Sequence, residues 1–218
     1  MTEEMSKRLF IVSGGPMPHT QFLRTRVRLR KPFAIVCADS GVLHALAENL
    51  IPHTVIGDMD SLPAEILRDL ENTPCQILRY PCRKDKTDTE LALRYAWEQN
   101  PDEIEIYGAL GGRLDHALAN ISLLAASAQR GITTTIIEEH TEVFLVTSQT
   151  EIRGHAGDIV SLFPVTPEVT GITLEGFSYP LQNARMEIGQ PYGISNVLTQ
   201  DAGIVSIAAG YLLVIHNR

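Results

Sequence analysis

Through residue 139 the chain alternates short runs of β-forming residues with stretches of helical spacing, and this alternation restricts the fold more than any other feature. The runs are LFIVSGG (9–15), FAIVCADSG (33–41), TVIGDMDS (54–61), QILRYP (76–81), EIEIYGALGG (103–112) and TTTIIEE (133–139). Such an order predicts βαβ units and a mostly parallel sheet, because parallel neighbours need a long crossover between them. Between the runs, GVLHALAENL and PAEILRDLEN carry Leu and Ile at helical spacing. TDTELALRYAWEQN opens with Thr87 and Glu90 in the T-x-x-E relation of a capping box, and Leu91, Ala92, Tyr95 and Ala96 form its expected buried stripe. DHALANISLLAASAQRG sets Leu118, Ile121, Ala125 and Ala128 on one face, with Gly131 as the terminating residue.

From about residue 140 the rhythm becomes one of short apolar or alternating runs broken by Gly and Pro: VFLVTS, DIVSLFP, GITLEGFSYPL and GIVSIAAGYLLVI. The expected architecture is therefore α/β over 1–139, Rossmann-like with a mostly parallel sheet and helices on both faces, followed by an all-β sandwich over 140–218. At roughly 80 residues the second part is small for an independent fold, so support from the first part or from another subunit is expected.

With 44% hydrophobic residues the chain can bury a core, and a net charge of -8 gives no positive field to attract nucleic acid or an anionic membrane. Any anionic substrate must be met locally, by a metal or by a few placed cations. Cys37, Cys75 and Cys82 form no CxxC pair, which points away from a disulfide framework and a zinc site and towards a reducing cytoplasm. The opening MTEEMSKR is polar, and LFIV is too short for a signal-peptide core. Nothing reaches the roughly 18 apolar residues of a membrane span.

Six aspartates stand where the β-rich runs end: Asp39, Asp58, Asp60, Asp85, Asp88 and Asp115. In an open parallel sheet, loops beyond the carboxyl ends of the strands share one crevice. Carboxylates gathered there repel one another unless pKa values rise or a cation binds, and oxygen donors of this kind suit Mg²⁺ held together with phosphate oxygens. An aspartate at a strand-to-helix junction is equally the ordinary cap or turn former, so each residue alone is ambiguous and the set carries the reading. The glycine loops SGGP, with Gly14 and Gly15, and GALGGR, with Gly111 and Gly112, would let backbone amides approach phosphate oxygens. Arg113 follows the second loop directly, a position from which a guanidinium could grip a phosphate. No GxxxxGK[ST] occurs, which excludes a P-loop kinase.

GDMDS, KDKTDTE and GALGGRLDH in this order, together with GITLEGFSYPL and GISN, resemble the thiamine pyrophosphokinase family, from SGGP to the last apolar run. The resemblance implies Mg²⁺-dependent transfer of diphosphate from ATP to the hydroxyethyl group of thiamine, giving thiamine diphosphate and AMP. It also implies an α/β nucleotide-binding domain, a thiamine-binding β-sandwich, and a homodimer with thiamine sites at the subunit interface. On the matching positions Asp58, Asp60, Asp85, Asp88 and Asp115 would be catalytic, the first four of them around the metal, with Asp39 beside them. Gly14, Gly15, Asp39, Ser40, Ser61, Thr87, Gly111, Gly112 and Arg113 would hold ATP, and Ser195 and Asn196 would meet thiamine. Asp88 or Asp115 would accept the hydroxyl proton. His116 fits the family pattern and equally a structural role at a helix start, while Tyr179, Tyr192 and Tyr211 are either stacking surfaces or core. The other open readings are a pyrophosphokinase for a different small alcohol such as a hydroxymethylpterin, a non-catalytic sensor of nucleotide or thiamine diphosphate, and a chain whose aspartates only cap helices.

Overall fold

The parallel strands are buried on both faces, and this is why they read as continuous apolar runs rather than as alternating ones. β1 (Arg8–Val12), β2 (Ala34–Ala38) and β3 (Thr54–Gly57) are almost wholly inaccessible to solvent. The computed structural model describes residues 6–83, 85–190 and 192–218, so residues 1–5 of the polar opening stretch and Lys84 of RKDKTDTE lie outside it. By internal packing the chain divides into two units, Met1–Glu139 and His140–Arg218.

In the first unit α1 (Gln21–Arg30), α2 (Gly41–Ala47), α3 (Ala64–Glu71), β4 (Gln76–Arg79), α4 (Asp88–Glu98), β5 (Glu103–Tyr107), α5 (Leu114–Ala128) and β6 (Thr133–Ile137) complete the alternation. All six strands pair in parallel, in the order β6-β5-β1-β2-β3-β4. The chain thus builds outward from β1 to β4, then returns to insert β5 on the other side of β1, with Ile11 opposite Val36 of β2 and Ile106 of β5. The order reverses between β1 and β5, and that is where the carboxyl ends of the strands leave a crevice.

Successive strand residues point to opposite faces. Phe10, Val12, Ile35, Cys37, Val55 and Tyr107 join a core with Leu23 of α1, Val42 and Ala45 of α2 and Leu70 of α3. Their neighbours Leu9, Ile11, Val36, Ile56, Ile104 and Ile106 are buried too, as are Leu91, Ala92, Leu93 and Ala96 of α4 and Leu124 of α5. Each buried leucine of this kind contributes about 1.5–3 kcal/mol. Thr87 caps α4, its Oγ1 accepting the N–H of Glu90 at 3.1 Å, while the Glu90 carboxylate accepts from Arg94 at 2.9 Å. On α5 the packed face is Asn120, Leu124 and Ser127 rather than the stripe through Leu118, whose side chain is 58% exposed.

α1 has no counterpart in the sequence reading. Its QFLRTRVRLR pattern buries only Leu23 fully, and charge docks it: Arg26 and Arg30 each donate to Glu105 at 2.9 Å, and Arg30 donates to Glu103 at 3.1 Å. Glu105 is 4% exposed in the middle of β5 and also accepts the Tyr107 hydroxyl. A buried carboxylate needs such partners, because an unpaired one would be strongly destabilising.

The second unit is entirely antiparallel. β7 (Thr141–Val146), β9 (Ile159–Pro164), β14 (Leu212–Asn217) and β12 (Asn196–Val197) pair in the order β12-β9-β14-β7. β8 (Gln149–Arg153), β10 (Glu168–Glu175), β11 (Ala184–Glu187) and β13 (Ala202–Ser206) pair in the order β11-β10-β13-β8. One apolar cluster draws on both sheets, through Val146, Val160, Leu162 and Val214 on one side and Ile152, Val169, Ile172, Leu174 and Val205 on the other. This is a sandwich, and β13 shows the in-out alternation expected of it. Among the described residues no helix is long and apolar enough to cross a membrane.

Candidate functional site

The loops after β1 and β5 are tied together at the point where the strand order reverses. Ser13 donates its N–H to the Tyr107 carbonyl at 2.8 Å and Gly15 to the Gly108 carbonyl at 2.9 Å. Only glycine permits this closeness at residue 15, since an added Cβ would lie 2.4 Å from the Gly108 oxygen. His44 of α2 reaches the Gly15 carbonyl with Nε2 at 2.8 Å, and the buried hydroxyls of Ser13 and Thr89 share a 2.9 Å hydrogen bond that fixes the first turn of α4.

A hollow of about 350 Å³ opens above these loops. Its wall brings together Gly14, Gly15, Asp39, Ser40, Thr87, Asp88, Gly111, Gly112 and Arg113, along with His116 and Asn120. Gly111 and Gly112 adopt left-handed φ angles of 85° and 63°, so the turn that presents their amides depends on glycine. Arg113 precedes α5 and donates two hydrogen bonds to Asp115, at 2.6 and 3.1 Å; both side chains are exposed. That contact lowers the Asp115 carboxyl below the usual carboxylate range and raises the Arg113 guanidinium.

The carboxylates on the neighbouring rim are close enough to feel one another. Asp39 stands in a left-handed conformation (φ 45°) after β2, with Oδ2 accepting the Ser61 hydroxyl and Oδ1 buried without a hydrogen-bond partner among the described residues. Gly57 leaves it room: a Cβ there would sit 3.0 Å from the Asp39 Cβ and 3.2 Å from Asp88 Oδ1. Asp58 Oδ1 accepts the Asp60 N–H at 3.2 Å across the buried, left-handed Met59. The Asp60 carboxyl is raised, first by its hydrogen bond with Asp58 and the Asp58 charge, and further by Asp39 and Asp88. Donor atoms of Asp58, Asp60 and Cys82 lie within 4.8 Å of one another.

Asp85 stands apart, exposed, in a separate hollow with Lys86, Tyr80, Arg94 and Tyr95. In the second unit Asn196 is buried and its amide holds the backbone of Tyr179. Its Oδ1 accepts the Tyr179 N–H at 3.0 Å and its Nδ2 donates to the Tyr179 carbonyl at 2.7 Å. Ser195 has φ 58° and donates its N–H to Ser161 Oγ at 3.1 Å. Tyr179, whose backbone Asn196 holds, and the chain neighbours Tyr192 and Ile194 expose apolar surface. Tyr211 is half-buried and donates its N–H to Thr166 Oγ1 at 3.0 Å. Sequence reading passed over His44, Thr89, Asn120 and Glu138, which brace the glycine loops. Thr89 lies within KDKTDTE but only its buried contact with Ser13 marks it out, and His44, Asn120 and Glu138 belong to no local motif; a polar Asn in an apolar helix was a faint signal.

A family model described as the thiamin pyrophosphokinase catalytic domain matches residues 28–136, and one described as the thiamin pyrophosphokinase vitamin B1 binding domain matches residues 147–212. The thiamine pyrophosphokinase of Bacillus subtilis (strain 168) is 34% identical over 181 residues, covering 82% of this chain and 85% of the relative. The crystal structure of the thiamine pyrophosphokinase from Bacillus subtilis superposes with a TM-score of 0.86 at 30% identity, over 97% of this chain and 99% of that one. That of the Geobacillus thermodenitrificans thiamin pyrophosphokinase gives 0.81 at 32% identity, over 97% of each chain. With both family domains matched in order, and a relative above 30% identity over most of its length, the chain belongs to the thiamine pyrophosphokinase family.

Proposed function

We propose that this chain transfers a diphosphate group from ATP to the hydroxyethyl oxygen of thiamine, releasing AMP and thiamine diphosphate. The observation that carries the reading is the hollow at the β1/β5 reversal, where two glycine loops, Arg113, Asp39 and Asp88 line the wall and the charges of Asp58, Asp39 and Asp88 bear on Asp60. An anionic phosphate chain needs the loops, and a rim of carboxylates beside it needs a cation.

The rim fits a hard divalent ion. Its donors are carboxylate oxygens, one of them, Asp39 Oδ1, is buried without a partner among the described residues, and the hydrogen bond and charge of Asp58, with the charges of Asp39 and Asp88, push the Asp60 carboxyl up. Asp58, Asp60 and Asp39 would hold Mg²⁺, which when bound neutralises charge on phosphate oxygens. Asp85, in its separate hollow, receives no such role here.

The amides of Gly14, Gly15, Gly111 and Gly112 receive the phosphates, Ser40 and Thr87 border them, and Arg113 exchanges Asp115 for a phosphate oxygen. Ser61 keeps Asp39 oriented. The thiamine oxygen forms a bond to the β-phosphorus as the bridge to the α-phosphorus breaks, and AMP departs with the bridging oxygen. Asp88, on the hollow's wall, accepts the hydroxyl proton. These groups act chiefly by positioning and electrostatics, as phosphoryl chemistry requires. Ser195 and Asn196 serve the thiamine end, Asn196 by fixing the Tyr179 segment. The exposed apolar side chains of Tyr179, Tyr192 and Ile194 support a homodimer that completes the thiamine site, and three free cysteines support a reducing cytoplasm.

Purified protein given Mg-ATP and a panel of thiamine and hydroxymethylpterin should form AMP and thiamine diphosphate in equal amounts with thiamine alone. Asp58→Ala and Asp88→Ala should each lower turnover by on the order of a hundredfold or more with the fold intact. Product formed on the pterin instead, or tight binding of thiamine diphosphate with no AMP released, would replace the proposal with one of those activities.

A further inference from the structure

The loop that carries Gly111, Gly112 and Arg113 is bent into place by a residue from a different strand. Glu138, one position beyond β6, lays a single oxygen between two consecutive amides: Oε1 accepts the N–H of Ala109 at 3.1 Å and that of Leu110 at 3.0 Å. From the opposite side Asn120 of α5 donates Nδ2–H to the Ala109 carbonyl at 2.8 Å, and the preceding carbonyl, of Gly108, accepts from Gly15. The segment entering the glycine turn is therefore held at three successive residues. Glu138 is not among the residues that form the wall of the hollow. Its charge sits in a half-buried place, where burial pushes its carboxyl up while the two amides pull it down.

We infer that Glu138 is a positioning residue for the triphosphate of the nucleotide: by occupying the amides of residues 109 and 110 it fixes the bend that presents those of Gly111 and Gly112 to the hollow. The inference rests on the reading that this hollow takes ATP. A contrary effect exists in principle, since a carboxylate behind a phosphate site repels the phosphates. Positioning and repulsion move the KM for ATP in opposite directions, and this separates them.

Glu138→Gln keeps the shape and an accepting oxygen but loses the charge, and charge-assisted hydrogen bonds are roughly twice as strong as neutral ones. Its KM for ATP should rise about three- to tenfold, with kcat and the KM for thiamine changing by less than about twofold. Glu138→Ala strands two amides and should raise the KM for ATP by more than tenfold, while Glu138→Asp, a methylene short, should fall between wild type and Ala. Hydrogen exchange at the Ala109 and Leu110 amides, measured without substrates, should quicken in the order wild type, Gln, Ala. An unchanged or lowered KM for ATP in both Gln and Ala variants, or unaltered exchange at the two amides, overturns the inference. Failure of the wild type to release AMP overturns the proposed activity instead, and the exchange measurement still decides whether the clamp exists.

Discussion

Replacing Gly15 by alanine tests whether the site depends on the close approach of the two glycine loops. The new Cβ would stand 2.4 Å from the Gly108 carbonyl oxygen, 3.1 Å from its carbon and 3.3 Å from the Leu110 oxygen. Nonbonded heavy atoms rest near 3.5 Å, so the loops must part by about 1 Å. All three obstructing atoms are backbone, and no rotamer change relieves them. Parting also lengthens the Gly15-to-Gly108 hydrogen bond and the His44 contact to the Gly15 carbonyl. Overpacking of this kind costs about 1–3 kcal/mol, which for a chain of this length lowers Tm by about 2–12 °C. A displacement of about 1 Å at a phosphate-positioning loop should lower kcat/KM for ATP by on the order of tenfold to a hundredfold. Thermal unfolding followed by circular dichroism gives the first quantity, and AMP release against ATP concentration gives the second. A Gly15→Ala protein with wild-type Tm and wild-type kcat/KM for ATP would refute the claim that loop contact sets the site.

Gly14→Ala offers a contrast, because its Cβ would meet Ser40 Oγ at 2.1 Å, a side-chain atom; the additional change Ser40→Ala should recover most of the lost Tm, and absence of recovery would show the obstruction lies elsewhere. Glu105→Ala removes the buried carboxylate shared by Arg26, Arg30 and Tyr107 and should cost about 3–5 kcal/mol in urea unfolding, with a loss below about 1 kcal/mol counting against charge as the anchor of α1. In the second unit Asp158 is opposed by burial yet held below the usual carboxylate range by the His155 N–H and by buried His216 at 2.9 Å. A depressed pKa contributes stability that is present above the ordinary carboxylate range and fades as pH falls through the lowered value. Urea midpoints taken from about pH 6 down to about pH 3 should therefore drop less in Asp158→Asn than in wild type, and parallel slopes would exclude this source of acid sensitivity.

The parallel strands were legible because burial on both faces leaves nothing polar to interrupt them, as in LFIV and FAIVCA, and because Gly or Asp closes most of them. Thr87 was legible as a cap because its partner, the Glu90 amide, is three residues away. α1 was not, since Arg26 and Arg30 find Glu105 more than seventy positions along the chain, and a period-2 row of arginines matches no apolar stripe. The packed face of α5 was misjudged for a related reason. Asn120 and Ser127 are polar, yet they are the residues turned inward, satisfied by the Ala109 carbonyl and by the Trp97 Nε1–H. Among the acidic residues, sequence gave adjacency to strand ends and nothing about direction: Asp39, Asp58, Asp60 and Asp88 interact, Asp115 turns to Arg113, and Asp85 faces another hollow. Glu138 was invisible because what it binds is main chain, which carries no signature in a sequence.

The seating of β5 beside β1 has a consequence for how the protein comes into being. Arg8 and Glu103 are partners across that seam although 95 positions separate them, so a chain emerging from its amino end offers β1 through β4 with one flank of β1 bare. Until β5 arrives, Ser13 and Gly15 lack the carbonyls that receive their amides, and Phe10 lacks the Tyr107 ring 4.9 Å away. Long-range pairing of this sort is slow and leaves an open strand vulnerable to the wrong neighbour. The crevice proposed to take the nucleotide lies at this seam, so the site takes shape and the bare flank of β1 is covered in one step, when β5 is seated.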